Sequence, residues 1–417
     1  MTEPATRHGR RAPLLVVTCA FATMLCAANL ATPLYAGYRQ RFGFDPAVLS
    51  LVFAVYALVL IPALLMFGQL SDRFGRRRVI VAGLGTATGG LGLFAAAHGV
   101  AWLFAARSVQ GLGQGMMSGA ATAALVELTP GGHSRAAAIR ASLAQAGGAA
   151  FGVLLAGVLA RWTSAPYVTP FAAGAALLLA AAVGMRLVPE TASPGRGPLR
   201  PQRPGVPREI RAPFARVAIT AAATWAVAAS LFLSVMPAYA SPVLHTGDVA
   251  WLGAVSALML ACSCLGQLAV RRGTPPAATQ AGGLALLACG LLALVLAQPL
   301  HQGGLLIAGA ALAGVGHGVA FLAAQDDLTH LAPDERRAEV SAAFYVCIYL
   351  GVAVPVIGVG VVATVAGLFT AVATFAAVTG TAALAVAAWH LRHRENRGPA
   401  APARHAAEAA RPPGRPR

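Results

Sequence analysis

The chain has 417 residues, 57% of them hydrophobic and 11% charged, with a mean hydropathy of +0.68. Soluble domains carry about a quarter charged residues, so a water-soluble globule is excluded. The net charge of +17 comes from 31 basic residues, all arginine, set in short clusters between apolar runs; this is not the basic face of a nucleic-acid binder.

The first cluster, Arg7 to Arg11, precedes an apolar run from Pro13 to Tyr35. That start mimics a secretory leader, but the run is as long as the roughly 20 residues needed to cross a bilayer, and it predicts a retained first helix. Comparable runs predict spans at 13–36, 47–70, 79–97, 101–127, 138–160 and 166–188, then 214–239, 249–270, 279–298, 303–327, 338–361 and 366–390. Each is twice the length of a barrel strand and lacks apolar/polar alternation, so the fold class is all-α, with twelve transmembrane helices. Cys19, Cys26, Cys262, Cys264, Cys289 and Cys347 lie within these runs without metal-site spacing, so they read as packing residues and neither metal nor cofactor is expected.

Arginine marks every second connection: Arg73, Arg76, Arg77 and Arg78 after the second span, Arg135 and Arg140 after the fourth, Arg196 to Arg211 after the sixth, Arg271 and Arg272 after the eighth, and Arg392 to Arg397 after the last. Cytoplasmic loops hold the positive charge, so both termini are expected in the cytoplasm and the protein in the inner (plasma) membrane. The expected organisation is a cytoplasmic N-terminus (1–12), a six-helix bundle (13–190), a Pro/Gly/Arg-rich linker (191–213), a second bundle (214–391) and a disordered cytoplasmic tail (392–417). The halves echo each other near an offset of about 200 residues, as in parallel-repeat transporters. Gly68-Gln69-Leu70 returns as Gly266-Gln267-Leu268; Gly111, Gly113 and Gly115 return as Gly314, Gly316 and Gly318; Glu127-Leu128-Thr129 returns as Asp327-Leu328-Thr329.

Two motifs carry chemistry. In Gly68-Gln69-Leu70-Ser71-Asp72-Arg73-Phe74-Gly75-Arg76-Arg77-Arg78, an aspartate at a membrane edge needs a cationic partner or a helix N-terminus, whereas positive-inside anchoring accounts equally well for the arginines. In the fourth span Arg107, Gln110, Gly111 and Gln114 share one helical face. A charge at that depth faces a cavity, where it binds an anionic group or tunes a proton site, unless it snorkels to the interface. These segments resemble the major facilitator superfamily: the first resembles its signature between helices two and three, the second its RxxQG pattern of proton-coupled exporters. The nearest likeness is to bacterial sugar- and drug-efflux permeases. The exporters' Gly-Pro antiporter motif is only half present, because Gly148 to Gly152 lacks the proline.

The resemblance implies two pseudo-symmetric six-helix bundles rocking about a central cavity. The expected substrate and proton pathway is Asn29, Arg107, Gln110, Gln114, His317 and Tyr345. His317 stands where Gln114 does in the repeat, and it reads as a proton site or as a packed neutral histidine. Gly68, Asp72, Arg73, Gly75 and Arg76 form the expected conformational latch. Glu127 with Arg135, and Asp327 with Arg336 and Arg337, form expected cytoplasmic gates or ordinary surface pairs. No acidic residue lies deep in any span, which favours a neutral or anionic substrate over a cation. The function expected is proton-coupled export of a small molecule, with proton-symport uptake as the alternative and a transporter-like sensor as a remote one. A membrane-embedded enzyme lacks any nucleophile or metal constellation. The expected partners are a small-molecule substrate, protons and the lipid bilayer, around a monomer.

Overall fold

The structure, a computed structural model, describes residues 11–130, 134–192, 203–270, 274–333 and 336–395. Arg7, Arg10, Arg196, Arg200, Arg271, Arg272 and Arg397, the middle of the expected linker and the end of the expected tail lie outside the described residues. Because lipid cannot satisfy backbone N–H and C=O groups, the apolar runs close their hydrogen bonds internally. The result is α1 (Arg11–Asn29), a 3-10 turn (Thr32–Leu34), α2 (Tyr35–Phe42), α3 (Pro46–Phe74), α4 (Arg76–Ala95), α5 (Val100–Leu128), α6 (Ser134–Trp162) and α7 (Thr169–Gly184). The second half is α8 (Arg211–Ala226), a π-helical segment (Val227–Val235), α9 (Met236–Leu244), α10 (Val249–Ala269), α11 (Pro276–Ala297), α12 (Gly303–Leu331), α13 (Arg337–Ala366) and α14 (Leu368–Glu395).

Among the described residues, eleven helices are long and apolar enough to cross a membrane. The twelfth expected span is α5, a 29-residue helix that fails the apolar criterion. It carries the polar side chains Arg107, Gln110 and Gln114, which lower its apolar character. Two expected spans are interrupted. The first breaks after Asn29, whose carbonyl Pro33 cannot reach for want of a backbone N–H; the Asn29 side-chain amide donates back to the Leu25 carbonyl at 2.8 Å. The seventh widens into the π segment before Pro237. Beyond each break a tyrosine ties the short helix to its neighbour. Tyr38 donates to the Phe94 carbonyl at 3.2 Å and Tyr239 to the Leu294 carbonyl at 2.9 Å. Donor and acceptor both recur at the repeat offset, an echo that the loose match of the flanking residues hides in the sequence.

The glycine echo has a packing cause. On α5, Gly111 and Gly115 bring the helix against α3, where a Cβ would meet the carbonyl oxygens of Tyr56 and Leu60, while Gly113 brings it against Gly83 and Ala87 of α4. On α12, Gly314 and Gly318 lie against Met259 and Ser263 of α10, and Gly316 against Gly283 and Leu287 of α11. The same three-glycine comb thus seats the fourth helix of each half between its second and third. Small residues permit such backbone approach where no hydrophobic effect drives association. The halves meet where α3 packs along α13 and α6 along α10.

Gly113→Val places atoms where a Cβ already lies 2.8 Å from the Gly83 carbonyl oxygen. We expect destabilisation of about 1–3 kcal/mol, as for overpacked cores. Gly85, which faces open space, is the control. Thermal unfolding of the detergent-solubilised proteins checks both: Gly113→Val melts lower and Gly85→Val does not.

Candidate functional site: a cationic, aromatic cavity

The halves line a central cavity of about 90 Å³. Its first-half wall includes Leu25, Asn29, Phe53, Tyr56, Arg107 and Gln145; the second half contributes Trp225, Phe321, Tyr345, Ile348, Tyr349 and Val352. Pockets with such a lining orient small molecules through a few polar groups set in apolar walls.

Arg107 dominates the electrostatics. It is 2% exposed and held by the end of α1: Nη1 donates to the Ala28 carbonyl at 2.7 Å and to Gln110 Oε1 at 3.2 Å, and Gln110 Nε2 donates to the Ala27 carbonyl at 3.2 Å. These acceptors lie among the last four carbonyls of a helix, which have no intrahelical partner. The break near Pro33 therefore creates the site that holds the arginine. Four rings surround the guanidinium, with centroids 4.8 Å away for Phe53, 5.4 Å for Tyr35 and Tyr56, and 5.9 Å for Phe94. Ring faces and a helix C-terminus each favour a cation, the latter with about half a negative charge. Both hydrogen bonds use Nη1, and Nε has no partner. That leaves the Nε–Nη2 edge, the fork that receives a carboxylate in bidentate pairs. No carboxylate among the described residues pairs with Arg107 or lines the cavity.

Of the expected pathway residues, Asn29, Arg107 and Tyr345 line the cavity, and Gln110 supports Arg107 from behind. Gln114 and His317 do not reach it. Gln114 lies two turns along α5 from Arg107, buried and donating to Ser118 Oγ at 2.9 Å. His317 is fully buried behind Trp225 and Phe321, whose rings stand between it and the cavity. The sequence reading passed over the aromatic wall, above all Phe53, Tyr56, Trp225 and Phe321. Aromatic residues in apolar runs look alike whether they face lipid, core or cavity.

At the arginine-rich end, Arg76 forms an ion pair with Asp72, reaches Glu127 at 3.3 Å and donates to Ser71 Oγ at 2.6 Å. Gly75 turns the chain at φ +99°, which favours glycine, and beside it the Glu190 carboxylate accepts from the Arg76 backbone N–H at 2.6 Å. Glu190, which follows α7, is a member of this network that the motif alone does not reveal. Gly68 sits in the last part of α3, and Arg73 lies 5.8 Å from the Phe74 ring. The expected Glu127–Arg135 gate is not the pair that forms. Glu127 meets Arg76 instead of Arg135, Arg135 crosses to the other half to meet Asp326 at 3.0 Å, Asp327 accepts from Gln280 at 3.2 Å, and Arg336 meets Glu339 at 2.7 Å. Helix ends bring partners from different elements, so sequence proximity does not choose the pair. At the opposite end the halves are tied by the Arg161–Asp248 ion pair and by the Ala47 N–H donating to Thr364 Oγ1 at 3.1 Å.

The model of the Major Facilitator Superfamily matches residues 16–355. A 3-(3-hydroxy-phenyl)propionate transporter from Escherichia coli is 33% identical over 93 residues, covering 22% of this chain and 22% of that protein. Puromycin resistance protein pur8 from Streptomyces alboniger is 32% identical over 174 residues, covering 40% of this chain and 33% of that protein. The chain thus spans between about a fifth and a third of the length of these curated relatives. The crystal structure of the human organic anion transporter MFSD10 (TETRAN) superposes with a TM-score of 0.68 at 16% identity, over 92% of this chain and all of that one. A structure of the nucleoside transporter NupG gives a TM-score of 0.67 at 14% identity, over 90% and 99% of the two chains. At such identities the likeness to these structures is one of fold.

A partly exposed ion pair is worth up to about 1 kcal/mol. Arg161→Ala is therefore expected to raise the population open at the Asp248 end by up to about fivefold. Cysteine introduced at Ala28, on the cavity wall, in a background without the native cysteines, reports it: an impermeant thiol reagent added from the Asp248 side labels it faster in the Arg161→Ala protein.

Proposed function

The chain belongs to the major facilitator superfamily of secondary transporters, and on that premise we propose that it carries small organic anions with an aromatic or apolar body across the membrane by alternating access. The observation that carries this reading is Arg107: a buried guanidinium on the cavity wall, with an unused Nε edge and no carboxylate partner. A charge in a low-dielectric interior is costly unless compensated, and the end of α1 compensates only part of it. A substrate carboxylate completes the pair, while Trp225, Phe321, Tyr345 and Tyr349 offer ring faces to an apolar body. Two of the similar proteins point the same way, the 3-(3-hydroxy-phenyl)propionate transporter and the organic anion transporter. A cation would meet the repulsion of Arg107 with no carboxylate to offset it.

In this reading the arginine-rich end faces the cytoplasm by the positive-inside rule and the protein resides in the plasma membrane. The halves rock about the cavity. The Arg161–Asp248 tie holds one end, and the Arg76 network with the Arg135–Asp326 pair holds the other.

Counterflow of radiolabelled 3-(3-hydroxyphenyl)propionate and benzoate in proteoliposomes, against tetraphenylphosphonium and a neutral sugar, tests the substrate class. The anions are expected to exchange. Arg107→Ala is expected to weaken anion affinity at least about thirtyfold, the cost of removing one member of a buried charge pair, and Arg107→Lys to restore part of it. Exchange of the cation, or anion exchange indifferent to Arg107→Ala, overturns the reading.

A further inference from the structure

Arg107 marks one end of the cavity, and the end nearer the arginine-rich loops is polar without being charged. Gln145 of α6 and Tyr345 of α13 line it, beside the rings of Trp225 and Phe321, which meet edge-on at 5.6 Å. Among the described residues no hydrogen bond reaches the Gln145 amide or the Tyr345 hydroxyl, and these atoms, unlike the Tyr35 hydroxyl, are not shut inside the protein. Polar side chains within the membrane otherwise pair with one another or with backbone. An amide left open on a cavity wall presents both donors and an acceptor to whatever enters.

Two independent helix contacts place this second pole at one depth. On α6, Gly148 and Gly152 lie against Ala22 and Cys26 of α1, so the two helices run parallel. Gln145 therefore stands about nine residues, or about 14 Å, from the level of Ala28, whose carbonyl holds Arg107. On α13, Gly360 lies against Ser50 of the antiparallel α3. Counted from that contact, Tyr345 lies about nine residues, again about 14 Å, beyond Tyr56, whose ring is 5.4 Å from the guanidinium. A hydrogen bond at each end takes about 2.9 Å, which leaves about 8 Å between the polar ends of a molecule that reaches both. That is the length of an aryl ring with a short acid side chain and a polar substituent on its far side.

We propose that Gln145, assisted by the Tyr345 hydroxyl, determines specificity by reading a neutral hydrogen-bonding group at the end of the substrate remote from its carboxylate. This rests on the anion reading above. An aryl hydroxyl suits the pair: it donates to Gln145 Oε1 and accepts from the Tyr345 hydroxyl, while Trp225 and Phe321 flank the ring that carries it. A plain aryl ring strips water from the amide and the phenol and returns no hydrogen bond, the penalty by which a polar site rejects an apolar analogue. A second carboxylate fails for the opposite reason. Among the described residues Arg107 is the charged side chain on the cavity wall, so a second anionic group at the Gln145 end goes unpaired. The cavity thus selects hydroxylated aryl monoacids over both plain aryl acids and diacids of the same length.

The test measures binding to the purified full chain in nanodiscs. The probes are 3-(3-hydroxyphenyl)propionate, 3-phenylpropionate and 3-(3-carboxyphenyl)propionate, with the uncharged pair 3-(3-hydroxyphenyl)propanol and 3-phenylpropanol. We expect the hydroxylated acid to bind about tenfold more tightly than the plain acid, and the diacid to bind more weakly than either. Gln145→Leu brings the ratio of hydroxylated to plain acid close to one, Tyr345→Phe lowers it in part, and Arg107→Ala weakens both acids without changing it. Because the readout is a ratio within each variant, a smaller folded fraction does not move it. A native ratio near one, or a ratio that survives Gln145→Leu, overturns the proposal and leaves the anion reading standing. If no acid binds, the anion reading fails and the uncharged pair decides. A preference for the hydroxylated propanol that Gln145→Leu removes then upholds the neutral pole, and the lack of one overturns it.

Discussion

A guanidinium buried among hydrocarbon and aromatic side chains, with no carboxylate partner among the described residues, is the constraint on which this protein turns. Moving a charge into the membrane interior costs several kcal/mol even when snorkelling and water soften the penalty. Here the charge is tolerated because three partial compensations converge on it. The last carbonyls of α1 accept its hydrogen bonds, the C-terminal end of that helix supplies a fraction of a negative charge, and four rings turn their electron-rich faces or edges toward it. None of these is an anion. The site is left electropositive on the cavity wall, with no carboxylate partner among the described residues.

Much of the surrounding architecture serves that arrangement. Pro33 ends α1 near the middle of the first span, and the ended helix is what exposes acceptors to Arg107. The three glycines of α5 draw its backbone onto α3 and α4, close enough for Phe53 and Tyr56 to cover the guanidinium. The second half repeats the glycine comb on α12 but carries no arginine at the matching depth. In place of Gln114 it has His317. Duplication thus supplies the scaffold twice, and divergence at single positions places a buried guanidinium in one half and a buried imidazole in the other.

The ends of the helices obey a different logic. There water screens charges, individual pairs are worth little, and control comes from several weak ties broken together. Arg76 gathers Asp72, Glu127 and Ser71, and Glu190 caps the helix that begins at Arg76. Single pairs cross between the halves at each end, Arg135 with Asp326 and Arg161 with Asp248. Weak, reversible closures of comparable strength suit a carrier that has to open both ways.

The sequence by itself determined the fold class, because runs of about 20 apolar residues admit helices and little else in lipid. It also determined the repeat, because close helix packing without a hydrophobic driving force demands small residues at set positions, and the Asp72–Arg76 spacing, because four residues make one helical turn. Arg107 stands out in the sequence because a charge at that depth is costly. What only the tertiary structure decided was everything that depends on which helices meet: the aromatic cage, the retreat of Gln114 and His317 from the cavity, the replacement of the expected Glu127–Arg135 gate, and the place of Glu190. Those contacts join residues many tens to hundreds of positions apart, and an apolar side chain carries no mark in the sequence of whether lipid, a neighbouring helix or a substrate lies beside it.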